Sequence, residues 1–214
     1  MNLRRTPVLP IMAIMLFALV ADAHEHPLTE NSIGEAYSLA RRNNKTMDKF
    51  LAQYFKRLPQ PQNGQYISDI EIQTPYVQVV WRVRDNLMVY SKRQAEKDYG
   101  YPFDEFLVRV RITFTPTYPA YFADASHKGR YIQRPDDFWR EFKIHVLQGN
   151  EIATKDASFT PTSTYADEGP GIWTGGDVTL KFDGSQLNSD PMRVEVLTPD
   201  GQTVKAKFNL ITLR

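Results

Sequence analysis

The sequence contains no cysteine and no apolar run long enough to span a membrane, and it carries almost no net charge. Without cysteine, the chain cannot form disulfide bonds, bind a metal through thiolates or carry a lipid on a cleavage-site cysteine. Its 26 basic and 25 acidic residues give no electrostatic indication of a nucleic acid or an anionic membrane as partner. The fold must therefore be held by its hydrophobic core, and 214 residues suit one domain after a short leader.

The first residues have the order of a secretory signal peptide. Two arginines precede a largely apolar run at residues 8–20, and Ala21 and Ala23 then supply the small residues of a cleavage site. The run is shorter than the roughly 20 residues that cross a bilayer core. We therefore predict that residues 1–23 are a cleaved signal peptide, that the protein is periplasmic or secreted, and that no stable membrane anchor remains after cleavage.

We expect the exported polypeptide to begin at His24. No later pair of small residues lies as close to the apolar run as Ala21 and Ala23. Mass spectrometry of the exported protein should therefore give the mass of residues 24–214. An N-terminus at Met1, or beyond Leu28, would contradict this prediction.

Residues 24–65 are predicted to form an N-terminal helical segment and a linker. Ser32 and Glu35 have the spacing of a capping box, in which two side chains satisfy free backbone N–H groups at the start of a helix. Apolar residues then recur at three- and four-residue spacing, which indicates one buried helix face. Two prolines and a glycine at 59–65 end this pattern.

From Tyr66 onward the hydrophobic period changes to two, which is typical of strands with one buried face. The six clearest alternating segments are 77–83, 106–114, 142–146, 178–182, 192–196 and 204–210. Weaker strand signals lie at 67–72 and 151–159. Asp200-Gly201 predicts a tight antiparallel hairpin between the last two strands.

Between the first two of these strands the sequence predicts one short helix at 92–99. Ser91 and Gln94 fit a second capping box, and Gly100 fits a helix end. Many short strands with a single helical insertion favour an antiparallel sandwich over a parallel α/β sheet.

We therefore predict that residues 66–214 form an immunoglobulin-like β-sandwich, with a C2-like or jelly-roll sandwich as alternatives. Trp81 and Phe208 each lie in phase with three other apolar residues on their strands. Both side chains are therefore expected in the sandwich core.

Two long connections, 116–135 and 161–176, are rich in aromatic residues. Loops longer than about 12 to 15 residues are usually functional or disordered. Both connections begin with Phe-Thr-Pro-Thr, so we expect them at the same end of the sandwich. The candidate ligand-binding residues are Tyr118, Tyr121, Tyr131, Tyr165 and Trp173.

These aromatic loops indicate recognition more than catalysis. Aromatic faces stack on the C–H faces of sugars and supply contact area to protein partners. The sequence has no G-x-S-x-G, H-E-x-x-H or phosphate-binding glycine-rich motif and no cysteine nucleophile. We therefore predict a non-catalytic binding or interaction module for an extracytoplasmic glycan or protein, with no nucleic-acid partner and no cofactor.

A copper-binding function is the alternative, and it depends on the new N-terminus. The α-amine, two backbone amides and the ring of His26 could supply four nitrogens to Cu(II). A second arrangement, through the amine and ring of His24, resembles the site of copper-dependent polysaccharide monooxygenases. This resemblance covers His24 alone, and it would need His127 or His145 as a further ligand.

Overall fold

The structure is a computed structural model that describes residues 27–42, 45–164 and 172–214. The predicted signal peptide, its cleavage site, His24 and His26 lie outside the described residues, as does Tyr165. Within the described part, the protein is mainly β with antiparallel sheets, an arrangement consistent with a β-sandwich.

Four α-helices and eleven strands are present in the described ranges. The helices are α1 (Glu30–Ala40), α2 (Lys45–Leu51), α3 (Pro75–Asp85) and α4 (Lys92–Tyr99). The strands are β1 (Phe55–Arg57), β2 (Tyr66–Gln73), β3 (Glu105–Thr113), β4 (Tyr121–Ala123), β5 (Tyr131–Gln133), β6 (Lys143–Gln148), β7 (Asn150–Glu151), β8 (Asp156–Thr164), β9 (Ile172–Asp183), β10 (Pro191–Leu197) and β11 (Thr203–Asn209). Short 3₁₀ helices lie at Ala52–Tyr54, Phe138–Glu141, Gly184–Gln186 and Leu210–Thr212.

None of the helices in the described residues combines the length and the apolar character needed to cross a membrane.

The strands form two main sheets and a separate hairpin. The larger sheet has the strand order β1-β2-β3-β9-β8, and the smaller has the order β11-β10-β6-β7. Among the residues that the structure describes, strands β4 and β5 pair only with each other. On β3, alternate residues from Phe106 to Ile112 are buried, as the period of two predicts. The buried residues of both sheets join one hydrophobic cluster.

The predicted hairpin at Asp200-Gly201 is confirmed. Strands β10 and β11 pair antiparallel from Leu197↔Thr203 outward, and Gly201 has φ = 84°. Glycine adopts this left-handed conformation without the steric cost that a Cβ brings. Phe208 on β11 is buried, as predicted.

The strand predicted at 77–83 is wrong, because these residues belong to helix α3. Thr74 caps the helix by accepting a hydrogen bond from the backbone N–H of Val77, and Pro75 follows as its first residue. Both are helix-start signals. Trp81 therefore lies on a helix, half-buried at its surface, and is not in the sandwich core.

Helices α1, α3 and α4 pack together beside the larger sheet. Helix α1 begins at Glu30 with Thr29 as its cap, so the predicted capping box at Ser32 is wrong in position. Helix α4 has the predicted cap, since the Ser91 hydroxyl accepts from the backbone N–H of Gln94. Helix α3 and the chain at 51–55 lie over the outer face of β2, which carries Glu71.

Candidate functional site

The structure places two predicted binding residues on the hairpin of β4 and β5. Tyr121 is 48% exposed and Tyr131 is 71% exposed. The register pairs Tyr121 with Gln133 and Ala123 with Tyr131, so the two tyrosines lie diagonally on one face of the hairpin. Most of the long connection 116–135 is therefore an ordered hairpin rather than an irregular loop.

Tyr118 and Trp173 are buried, so they are not on an exposed surface with the hairpin tyrosines. Both belong to an aromatic cluster centred on Phe138. The Trp173 indole N–H donates to the carbonyl of Gly175 at 2.6 Å, which satisfies it inside the protein. The Arg134 guanidinium lies 3.6 Å from the centroid of the Tyr118 ring, and burial raises the pKa of Tyr118 to about 12.

The two aromatic connections do begin at the same end of the larger sheet. The N–H of Phe114, just beyond β3, donates to the carbonyl of Thr174 at 2.9 Å. On the other side of β9, Thr162 pairs with Gly175. The shared position of the two exits is as predicted, but much of the predicted connection 161–176 belongs to β8 and β9. Tyr118 and Trp173 lie in the core, whereas Tyr121 and Tyr131 are exposed on the hairpin.

A concave site that the sequence did not indicate lies around Trp81. We call this cavity of about 380 Å³ the Trp81 cleft. Its lining residues are Gln73, Gln78, Trp81, Arg82, Asp85, Tyr99, Leu107 and Arg109. They come from strands β2 and β3 of the larger sheet and from helices α3 and α4.

A second, more apolar cavity of about 530 Å³ shares two residues with the Trp81 cleft. Trp81 and Arg109 line both cavities. The remaining lining residues are Leu51, Ala52, Phe55, Arg57 and Glu71. The side chain of Trp81 is therefore part of the wall of two neighbouring cavities.

Beneath these cavities, ion pairs link three adjacent strands of the larger sheet. Glu71 on β2 forms an ion pair with Arg109 on β3. Arg111 on β3 makes a bidentate pair with Asp177 on β9, with N–O distances of 2.7 and 2.9 Å. Bidentate guanidinium–carboxylate pairs have fixed geometry, so they orient the side chains as well as stabilise them. Asp69 lies 3.9 Å from Arg111.

Glu71 is the most deeply buried carboxylate of this network. Burial raises the pKa of its carboxyl, whereas Arg109, a hydrogen bond from Gln73 and the nearby Trp81 act to lower it. In the adjoining cleft, burial also raises the pKa of Tyr99. A concave site with convergent polar groups and perturbed pKa values is the default candidate for ligand binding.

Amide and guanidinium groups give the cleft both donors and acceptors. The Gln78 side-chain nitrogen donates to the carbonyls of Gln73 and Glu105, at 3.0 and 2.7 Å. This holds the amide at the cleft wall, with its oxygen as an acceptor. Arg82 and Arg109 supply donors, and Asp85 supplies further acceptors.

No group of three or more metal-ligating side chains is found within the described residues. His127 contacts Asp124 at 3.1 Å, and His145 contacts Glu151 at 2.6 Å. The copper hypothesis depends on His24 and His26, which lie outside these residues, so it stays a prediction.

The sequence pattern does not identify Trp81, Glu71 and Arg109 as site residues, because each pattern describes one segment of the chain at a time. On β2, Asp69 and Glu71 alternate with buried isoleucines and so indicate a solvent-facing side. The Thr74-Pro75 pair was the available signal that a helix follows β2 and could cover that side.

No protein-family model, curated protein or solved structure matches this chain.

Proposed function

We propose that the chain is a non-catalytic binding module that acts outside the cytoplasm, and that the Trp81 cleft binds a neutral, hydroxyl-rich ligand such as a sugar unit of a glycan. The observation that carries the proposal is the lining of the cleft, where two aromatic side chains stand beside amide, guanidinium and carboxylate groups. Sugar rings offer C–H faces to aromatic rings and hydroxyls to such polar groups.

The charge balance of the cleft supports a neutral ligand. Arg82 and Asp85 lie at the cleft with opposite charges, and Arg109 is neutralised by its ion pair with Glu71. A strongly charged ligand would leave one sign uncompensated in a partly buried site, which costs free energy. A hydroxyl-rich ligand can instead hydrogen-bond to donors and acceptors at once.

The pairing of the buried carboxylate supports binding rather than catalysis. Glu71 accepts hydrogen bonds from Arg109 and from Gln73, the latter at 3.0 Å, so its oxygens are engaged within the sheet. A general acid or base must reach the reacting group of the substrate. Glu71 lines the neighbouring cavity, and the carboxylate that lines the Trp81 cleft is Asp85, which is exposed.

An immunoglobulin-like topology is the form of sandwich that we propose for this scaffold, over the C2-like and jelly-roll alternatives. The orders β2-β3-β9-β8 and β11-β10-β6-β7 correspond to the A-B-E-D and G-F-C-C′ orders of immunoglobulin-like domains. The short strand β1 would then extend the first sheet at its edge. Helices α3 and α4 would be an insertion between β2 and β3, the strands that correspond to A and B.

We expect Trp81→Ala to weaken glycan binding at least tenfold. The substitution removes the largest stacking surface of the cleft, and aromatic stacking pairs contribute about 0.5 to 1.5 kcal/mol beyond the area that they bury. Arg82→Gln and Asp85→Asn, which change exposed hydrogen-bonding groups, should weaken binding with little effect on folding. The measurement is binding of the purified protein to an immobilised glycan library and to insoluble cellulose, chitin and peptidoglycan.

Tyr131→Ala is the matched control, because it removes an exposed aromatic residue from the hairpin instead of the cleft. It should leave glycan binding unchanged. Loss of binding in Tyr131→Ala with retention in Trp81→Ala would move the site to the hairpin. Failure of the wild-type protein to bind any of these glycans would overturn the proposal, and a thermal melt of each variant shows whether it is folded.

A further inference from the structure

Three consecutive apolar residues, Leu87, Met88 and Val89, form an exposed turn between α3 and α4, which we call the apolar turn. Met88 is 95% exposed, Val89 is 84% exposed and Leu87 is 45% exposed. Single exposed apolar residues are common on protein surfaces and need no explanation. A run of three at the tip of a turn is different. Exposed apolar runs lower solubility, so their presence usually indicates a function.

The backbone holds this turn in a fixed position. The carbonyl of Asn86 accepts hydrogen bonds from the N–H groups of Val89 and Tyr90, both at 3.0 Å. Tyr90 is buried, and its hydroxyl donates to Asp98 at 2.8 Å. The buried Tyr90 therefore anchors the turn, and the three apolar side chains before it are exposed to solvent.

Basic residues flank the apolar turn on both helices. Arg82 and Arg84 lie in the last turn of α3, where the helix dipole favours cations. Lys92 and Arg93 lie in the first turn of α4, where the dipole disfavours them and no acidic residue stands. Lys92 is partly compensated by an i,i+4 ion pair with Glu96 at 3.4 Å, but its side chain stays 55% exposed. The helix dipole gives no reason for Arg93 at this position. This local charge is hidden in the near-zero net charge of the whole chain.

We propose that the apolar turn inserts reversibly into the surface of an anionic lipid membrane. The apolar side chains would enter the boundary between headgroups and acyl chains, and the flanking basic residues would contact anionic headgroups. Apolar insertion and electrostatic attraction add in this mode of binding. Such attachment needs no membrane-spanning segment. Its test does not require the ligand of the Trp81 cleft to be known, although Arg82 belongs to both sites.

Because the chain has no cysteine, Met88→Cys creates a single site for an environment-sensitive fluorophore. With vesicles of phosphatidylglycerol and phosphatidylcholine, the emission of this label should shift to the blue. The shift should be small with pure phosphatidylcholine vesicles and should decrease at high salt. Ile211→Cys places the same label at an exposed apolar position elsewhere and should show no shift.

Vesicle co-sedimentation gives a second measurement. Replacing Met88 and Val89 with Ser should lower the partition coefficient at least tenfold. Replacing Lys92 and Arg93 with Gln should lower it about fivefold for each charge removed. Ile211→Ser should leave it unchanged. All variants share the same N-terminus, so any membrane affinity of the region before residue 27 cancels from the comparison.

Three results would overturn the proposal. The first is an equal shift of the labels at positions 88 and 211, and the second is equal partition of the wild type and the Met88 and Val89 double variant. The third is a wild-type dimer that dissociates on Met88→Ser without vesicles, because the apolar turn would then contact a second copy of the chain.

Discussion

Replacing Phe138 with Ala should lower the free energy of unfolding by about 3 to 5 kcal/mol, the range for large-to-small substitutions of buried aromatic residues. Phe138 is buried in the short 3₁₀ helix before β6. Its ring centroid lies 5.2 to 6.5 Å from those of five other aromatic side chains. They are Phe114, Tyr118, Phe142, Phe159 and Trp173.

The cost is expected near the top of this range because the cluster joins the larger sheet to the segment that leads into the smaller sheet. Phe159 lies on β8 and Trp173 on β9 of the larger sheet, whereas Phe142 directly precedes β6 of the smaller one. Surrounding side chains can fill the cavity only partly, since several of these rings also contact each other.

Urea unfolding of the wild type and the variant measures this effect. Phe122→Ala is the control, because it removes a half-exposed ring of the hairpin and should cost less than about 1 kcal/mol. Equal urea midpoints for Phe138→Ala and the wild type would show that the cluster does not join the sheets.

The alternation of apolar residues predicted most strands of the two sheets, but it missed β1 within the predicted helical segment, shortened β8 and β9, and failed at α3. Val77, Val79 and Val83 alternate, yet Tyr76, Val80 and Val83 also recur at helical spacing, and all of them are buried. A short apolar run fits either period when its element is covered on more than one side. Only the flanking Thr74-Pro75 distinguishes the two structures.

The candidate site was less predictable than the fold because it depends on contacts between distant parts of the chain. Nothing in the sequence around Trp173 indicates that Phe138 will cover it. Trp173 was therefore predicted at the surface, whereas it lies in the core. Nothing local to Glu71 indicates that Trp81 and the chain around Phe55 will cover the outer face of β2. Sequence patterns report one strand or helix at a time, whereas burial is decided by what packs on it.

The ion pair of Glu71 and Arg109 leads to the second large expected effect. Replacing Arg109 with Met should destabilise the protein by about 3 to 5 kcal/mol near pH 7, because it leaves a buried carboxylate without its cation. Glu71→Gln should cost less. The side chain of Arg109 is 30% exposed and still lies 3.9 Å from Asp177, whereas that of Glu71 is only 2% exposed.

The pH dependence of stability distinguishes this explanation from a general packing defect. Burial already raises the pKa of Glu71 above the unfolded value of 4.5, and loss of Arg109 should raise it further. The folded state then binds the proton more tightly than the unfolded state. The contribution of Glu71 to stability is therefore fully present below about pH 4.5 and is lost as the pH rises through its folded-state pKa.

Urea midpoints of Arg109→Met measured between pH 4 and 8 should thus approach those of the wild type as the pH falls. Adding Glu71→Gln to Arg109→Met removes the buried charge altogether, so the double variant should recover most of the lost stability at pH 7 and lose the steep pH dependence. A deficit of Arg109→Met that is constant across this range, or that the second substitution leaves unchanged, would mean that Arg109 acts through packing of its side chain and not through its charge.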